Sequence, residues 1–85
     1  MSTPQTCILV YESLNQVNRL KRHLYEGGVF VDMIRAPQNL GVKGCSFALR
    51  CPSTLVPEIR RASQTLAIDI RGQFAESANG YEPLP

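Results

Sequence analysis

The chain of 85 residues is long enough for one small domain with a thin core, since chains of this size bury only about 60% of their unfolded surface. Its 44% hydrophobic and 19% charged residues are ordinary for a globular protein, and a net charge of +2 does not indicate a nucleic-acid partner. No apolar run approaches the ~20 residues that span a membrane, and the first residues lack a secretion signal. We therefore expect a cytoplasmic protein with reduced thiols.

The first half of the chain predicts a strand, a helix and a second strand. Residues 1–5 form a polar leader that we expect to be flexible, and the apolar, β-branched run at 7–11 predicts a buried central strand. Ser13 is a favourable helix N-cap, and Gln16 three residues later completes a capping-box pattern. The glycine pair at 27–28 ends this helix, because glycine adopts the left-handed conformation at low cost.

The second half of the chain predicts two more strands around a second helix. The second strand is expected at 29–36, where a proline follows it, and a loop with two glycines at 38–44 leads to a third strand at 46–50. The second helix begins at 52–53, and the fourth strand is expected at 68–74, where isoleucines alternate with charged residues.

The element order β-α-β-β-α-β predicts an α+β fold, the ferredoxin-like two-layer sandwich with a four-stranded antiparallel sheet. Right-handed crossovers place strands one and three in the middle of this sheet and strands two and four at its edges. Residues 6–74 then form a single domain, and the polar segment 75–85, rich in turn-forming residues, is expected to be a disordered tail.

This topology gathers several polar residues at one end of the sheet. The end of strand one, the start of helix one, the end of strand two and the start of strand three meet there, which brings Cys45 near Arg35, Lys43 and Ser13. A helix start carries about half a positive charge, and such sites lower cysteine pKa values from ~8.5 to about 3.5–7.5 in known cases. Gly44 leaves the thiol accessible, so Cys45 is the candidate reactive cysteine.

The other two cysteines are expected at the opposite end of the sheet. At ~3.3 Å per residue Cys51 lies about 20 Å from Cys45, too far for a disulfide between them, and it should approach Cys7. Cys51 directly precedes helix two, whose start could lower its thiol pKa, so it is a secondary candidate for a reactive cysteine. The alternative for Cys7 and Cys51 is that each is a small buried residue without a chemical role. Three scattered cysteines and the single His23 lack the spacing of a zinc site, so neither a metal nor a cofactor is expected.

From the end of strand one onward, the chain resembles a small bacterial family of sulfur/selenium carrier-like domains. The resemblance covers residues 6–66 and rests on a strand with a capped helix ending in glycine, Arg-Ala-Pro at 35–37, a glycine/serine loop carrying Cys45, and Phe-Ala-Leu-Arg at 47–50. Its most specific element is a Cys-x-x-Ala-Leu-Arg pattern, filled here by Cys45, Ala48, Leu49 and Arg50.

The resemblance implies a carrier rather than a stand-alone enzyme. Cys45 would accept sulfane sulfur or reduced selenium from a donor such as a cysteine desulfurase, hold it covalently as a persulfide, and pass it to an acceptor protein. Arg35 and Lys43 would stabilise the persulfide anion. The further positions expected around the bound atom are Ser13, Gly44 and Ser46.

Two other functions remain open at this stage. An RNA-recognition domain has the same element order, but its third-strand signature needs aromatics where Cys45 and Arg50 stand, and strand one offers only Tyr11. The second alternative is a protein-interaction module with an open sheet face, whose strand edges can pair to form a homodimer and in which Cys45 is purely structural. A catalytic enzyme lacks support, because there is no paired acid and base and no phosphate loop.

Overall fold

A computed structural model describes residues 5–37, 40, 47–78 and 80–84 of the chain. The described elements, in order, are β1 Thr6–Tyr11, α1 Leu14–Glu26, β2 Asp32–Arg35, β3 Phe47–Pro52, a 3-10 turn Ser53–Leu55, α2 Val56–Thr65, β4 Gly72–Ser77 and β5 Gly80–Pro83. The five described strands form one antiparallel sheet of order β2-β3-β1-β4-β5, and the two described helices pack on the same face of it. The predicted α+β class and the central positions of strands one and three are confirmed.

β1 is buried on both faces and hydrogen-bonded on both edges. It pairs with β3 along its whole length, from Thr6 opposite Pro52 to Tyr11 opposite Phe47, and with β4 on its other side. Its last four residues, Ile8 to Tyr11, have no exposed surface. A continuous apolar run is what a strand with two covered faces requires, since neither set of alternate side chains meets water.

α1 begins with the predicted cap. The Ser13 hydroxyl accepts a hydrogen bond from the Gln16 backbone N–H at 3.2 Å. The reciprocal half of the capping box is not formed, because the buried Gln16 Oε1 has no hydrogen-bond partner among the described residues. At the other end, Gly28 has a φ of +83°, and the Val29 N–H closes the turn on the Leu24 carbonyl at 2.8 Å.

That closing turn explains why β2 is shorter than predicted. The sequence predicts a strand from residue 29, but Val29 still belongs to the end of the helix turn and β2 begins at Asp32. β3 extends beyond its predicted end, from Phe47 to Pro52, because its last residues still pair with β1. A 3-10 turn then separates β3 from α2, which begins at Val56 rather than at 52–53.

The fourth strand begins later than predicted for a similar reason. After α2, Ala67 has a positive φ of 56°, and the Ile68 N–H bonds to the Ser63 carbonyl at 2.8 Å, so this segment still closes the helix. The alternation of isoleucines with charged residues at 68–71 resembles a strand, and Ile68 is indeed buried and Ile70 half-buried. β4 nevertheless begins only at Gly72.

The segment predicted as a disordered tail contributes to the sheet in its described part. Residues 75–77 complete β4, and β5 pairs back on it from Ser77 opposite Gly80 to Phe74 opposite Pro83. Gly80 has a φ of +120°, which glycine adopts readily, so the turn-forming residues here make a hairpin. The prediction of four strands, with strand four at an edge, is therefore wrong.

The face of the sheet opposite the helices is not open at its centre. Ile8, Val10 and Ala48 on that face have no exposed surface, and Phe74 beside them is buried. The partly buried apolar residues packed against this second cluster are Ile34, Ala36, Leu40 and Tyr81. The open apolar face expected of an interaction module is thus absent over these positions.

Ending the chain at residue 78 tests the structural role of β5. Removing it uncovers Phe74 and deletes the partly buried Tyr81 and Leu84, so we expect the free energy of unfolding to fall by at least about 2 kcal/mol in urea titrations. Glu82→Ala, at an exposed β5 position, is the control and should change stability by no more than ~0.5 kcal/mol. A truncated chain as stable as the full one would show that residues 79–85 contribute nothing to the core.

Candidate functional site

The predicted site falls partly within the described residues. Lys43, Gly44, Cys45 and Ser46 lie outside them, whereas Ser13, Arg35 and Cys51 are described. The structure therefore gives the framework on either side of the predicted reactive cysteine, together with the surroundings of the other two cysteines.

Three strands present one row of residues at the end of the sheet where β3 begins. Phe47, the first residue of β3, is paired with Arg35 on one side and with Tyr11 on the other. Ser13 caps α1 two residues after Tyr11. The end of β1, the start of α1, the end of β2 and the start of β3 therefore meet at one end of the sheet, as the topology predicts.

Two described features contribute positive charge at this end of the sheet: the Arg35 side chain and the first turn of α1. Arg35 is exposed, and no described carboxylate forms an ion pair with it. The first turn of α1 contains no acidic residue, so the partial positive charge of the helix start is not neutralised within that turn. Glu12, exposed just before the cap, is the acidic group that opposes this effect. Arg35 and the start of α1 together favour an anion over a neutral group at this end of the sheet.

Cys51 has the opposite kind of environment. It is 3% exposed and lies directly across from Cys7, which is 1% exposed, and both are free thiols. Burial, with a smaller contribution from the neighbouring Cys7, raises the pKa of Cys51 to about 11. Burial also raises the pKa of Cys7, with Arg60 acting in the other direction. This placement gives no support to Cys51 as an activated thiol, while its predicted approach to Cys7 is confirmed.

A groove at the Cys7 end of the sheet was not predicted. It has a volume of about 280 Å³ and is lined by Cys7, Ser53, Val56, Pro57, Arg60 and Leu84. Arg60 donates from Nε to the Gln73 side-chain oxygen at 2.6 Å. The sequence signal that could have indicated it is the four-residue spacing from Val56 to Arg60, which puts both residues on one face of α2.

The aromatic residues that an RNA-recognition surface would need are not available for base stacking. Tyr11 is fully buried, and its hydroxyl is hydrogen-bonded to the Ser63 hydroxyl at 2.9 Å. Burial raises the pKa of Tyr11 to about 12, so it remains a neutral phenol. Phe47 packs against the helix-side core rather than projecting from a free face. Tyr11 and Phe47 therefore do not provide the exposed aromatic rings on which an RNA-recognition domain stacks bases.

No group of three His, Cys, Asp or Glu side chains suited to a metal ion occurs among the described residues. Neither helix in that part of the chain is long and apolar enough to cross a membrane.

Comparison with known proteins gives one match. A family model described as "Putative Se/S carrier protein-like" matches residues 6–74. Searches of curated proteins and of solved structures gave no match. The family match spans all the predicted site residues, from Ser13 to Cys51.

Alkylation of the folded chain tests the burial of Cys51. A thiol with a pKa of about 11 holds roughly 300-fold less thiolate at pH 7.5 than free cysteine at ~8.5, so iodoacetamide should modify Cys51 at least ~100-fold more slowly. Peptide mapping by mass spectrometry identifies the site, and Cys51→Ala confirms the assignment. In guanidinium the rate should return to that of free cysteine, whereas rapid modification of the folded protein would contradict the buried placement.

Proposed function

We propose that this chain, which belongs to the Se/S carrier protein-like family, holds sulfane sulfur as a persulfide on Cys45 and passes it between proteins. The observation that carries the proposal is the row formed by Arg35, Phe47 and Tyr11 beside the start of α1. It supports an anion-stabilising site where the chain enters β3, which is the part of the chain that contains Cys45.

Chain connectivity strengthens this argument. Consecutive Cα atoms are about 3.8 Å apart, so the Cα of Cys45 is at most about 7.6 Å from that of Phe47. Cross-strand partners such as Phe47 and Arg35 are separated by about 5 Å. The two limits together keep Cys45 within about 13 Å of the Arg35 backbone. A long, exposed guanidinium side chain can span much of that interval.

The proposed chemistry is a sulfur transfer without net oxidation or reduction. The Cys45 thiolate attacks the terminal sulfur of a donor persulfide, the donor's S–S bond breaks, and the donor cysteine leaves as a thiolate. The new Cys45 persulfide then undergoes the same attack by an acceptor thiolate. Arg35 and Lys43 would stabilise the anion at each stage, with Ser13, Gly44 and Ser46 around it. Selenium would follow the same course if the donor carries it as a perselenide, since one S–Se bond then breaks on the donor as another forms on Cys45.

The partners are then donor and acceptor proteins, with a cysteine desulfurase as the expected donor. The proposal places this exchange in the bacterial cytoplasm and requires no cofactor. We also propose that β1 to β4 and the two helices form a ferredoxin-like arrangement to which β5 has been added, because the first four strands have the order β2-β3-β1-β4.

An exposed aromatic pair favours a second candidate function, that of a protein-interaction module. Tyr25 is 65% exposed and Phe30 69% exposed, and their rings meet edge to face with centroids 5.2 Å apart. Met33 is also partly exposed, on β2, which is one of the two edge strands of the described sheet. A partner could contact these residues without any participation by Cys45, and the chain could also form a homodimer along this edge.

Persulfide loading tests the carrier proposal. After incubation with a cysteine desulfurase and cysteine, intact-mass spectrometry should show the chain gaining the mass of one sulfur atom, and a reducing agent should remove it. Cys45→Ser should abolish the gain, whereas the matched control Cys51→Ala should retain it because that thiol is buried. A wild-type chain that gains no sulfur, or a Cys45→Ser chain that still does, would overturn the proposal and leave the interaction module.

A further inference from the structure

The two described cysteines form a cross-strand pair at the end of the sheet opposite the proposed carrier site. Cys7 of β1 is directly opposite Cys51 of β3 in an antiparallel ladder, and both are free thiols. Directly opposite residues of an antiparallel ladder project from the same face of the sheet. Here that is the face covered by the helices, since both residues belong to the helix-side core.

The spacing of this pair fits a disulfide. Opposite residues in an antiparallel ladder have Cα atoms about 4.5–5.5 Å apart, and bridged cysteines have Cα separations of about 4.4–6.8 Å. A bond between Cys7 and Cys51 therefore needs no shift in the register of the central strands.

The groove at this end of the sheet gives the two thiols different accessibility. It reaches Cys7, whereas Cys51 is not among the residues that line it. Its walls are mainly apolar, from Val56, Pro57 and Leu84, with Arg60 as the charged group. No described carboxylate forms an ion pair with Arg60, so its guanidinium can meet an anionic group that enters the groove. A reagent arriving this way meets Cys7 first, with Cys51 behind it.

We propose that Cys7 and Cys51 form a thiol–disulfide exchange site for low-molecular-weight disulfides that carry a carboxylate, with Cys7 as the attacking residue and Cys51 as the resolving residue. The Cys7 thiolate attacks one sulfur of the small disulfide, forming a mixed disulfide and releasing one small thiolate. Cys51 then attacks the Cys7 sulfur, the Cys7–Cys51 bond forms, and the second small thiolate leaves. The two protein thiol protons pass to the two released thiolates, so the small disulfide is the oxidant.

This site is separate from the proposed sulfur carrier and does not depend on it. The bond would join the two central strands of the sheet, β1 and β3, and close a long chain loop, so the oxidised form should unfold at a temperature several degrees higher than the reduced form. Because Cys7 is 1% exposed, the first step should be much slower than the reaction of free cysteine.

The test uses the full chain with Cys45→Ser, which removes the third thiol. After exposure to oxidised glutathione and quenching with N-ethylmaleimide in denaturant, intact mass should show the loss of both maleimide adducts and of two hydrogen atoms. With Cys51→Ala added, a stable glutathione adduct should accumulate on Cys7. With Cys7→Ala added instead, Cys51 should remain unmodified while the chain is folded, as checked by circular dichroism.

Arg60→Gln tests the assigned substrate class. It should slow the reaction with oxidised glutathione several-fold, while the reaction with the uncharged bis(2-hydroxyethyl) disulfide stays within about twofold of the parent. The proposal is overturned if the folded Cys45→Ser chain keeps both maleimide adducts, or if the disulfide forms only between chains. An equal effect of Arg60→Gln on both reagents would overturn the assignment to carboxylate-bearing disulfides.

Discussion

The structure depends on the burial of β1 between two strands and two apolar layers. Its run from Cys7 to Tyr11 faces the helices with alternate residues and the second apolar cluster with the others. A one-residue slip of β1 would exchange the two faces along the whole strand, so burial on both sides fixes its register with β3 and β4. The pairing with β1 also fixes the two ends of β3, with Phe47 opposite Tyr11 and Pro52 opposite Thr6.

The same register gives the two ends of the sheet different chemical properties. At one end the first residue of β3 is paired with Arg35, and the first turn of α1 contains no acidic residue, so this end favours an anionic group. At the other end Cys7 and Cys51 face each other in the core, where burial raises the pKa of both thiols. If the proposed carrier site is correct, Cys45 is more reactive than Cys7 and Cys51 because it lies at the opposite end of β3 from this buried pair.

The sequence was sufficient for the features that depend on strong local signals. The apolar run of β1, the Ser13 cap and the glycine stop of α1 each follow from residue chemistry, and with the element order they predict the central strand pair. The predicted strand starts at Val29 and Ile68 are wrong because the backbone N–H groups of these residues form helix-closing hydrogen bonds instead of strand pairs. β5 was missed because polar, turn-rich composition is common to hairpins and disordered tails, and only pairing with β4 distinguishes them.

The proposed carrier site requires positive charge around Cys45, and the pKa of the Cys45 thiol reports that charge. In a chain with Cys7→Ala and Cys51→Ala, the rate of iodoacetamide modification as a function of pH measures the Cys45 pKa alone. The account predicts a value below the ~8.5 of free cysteine, rising towards it in Arg35→Gln, because positive charge stabilises the thiolate. A pKa at or above ~8.5 that does not respond to Arg35→Gln would contradict the claim.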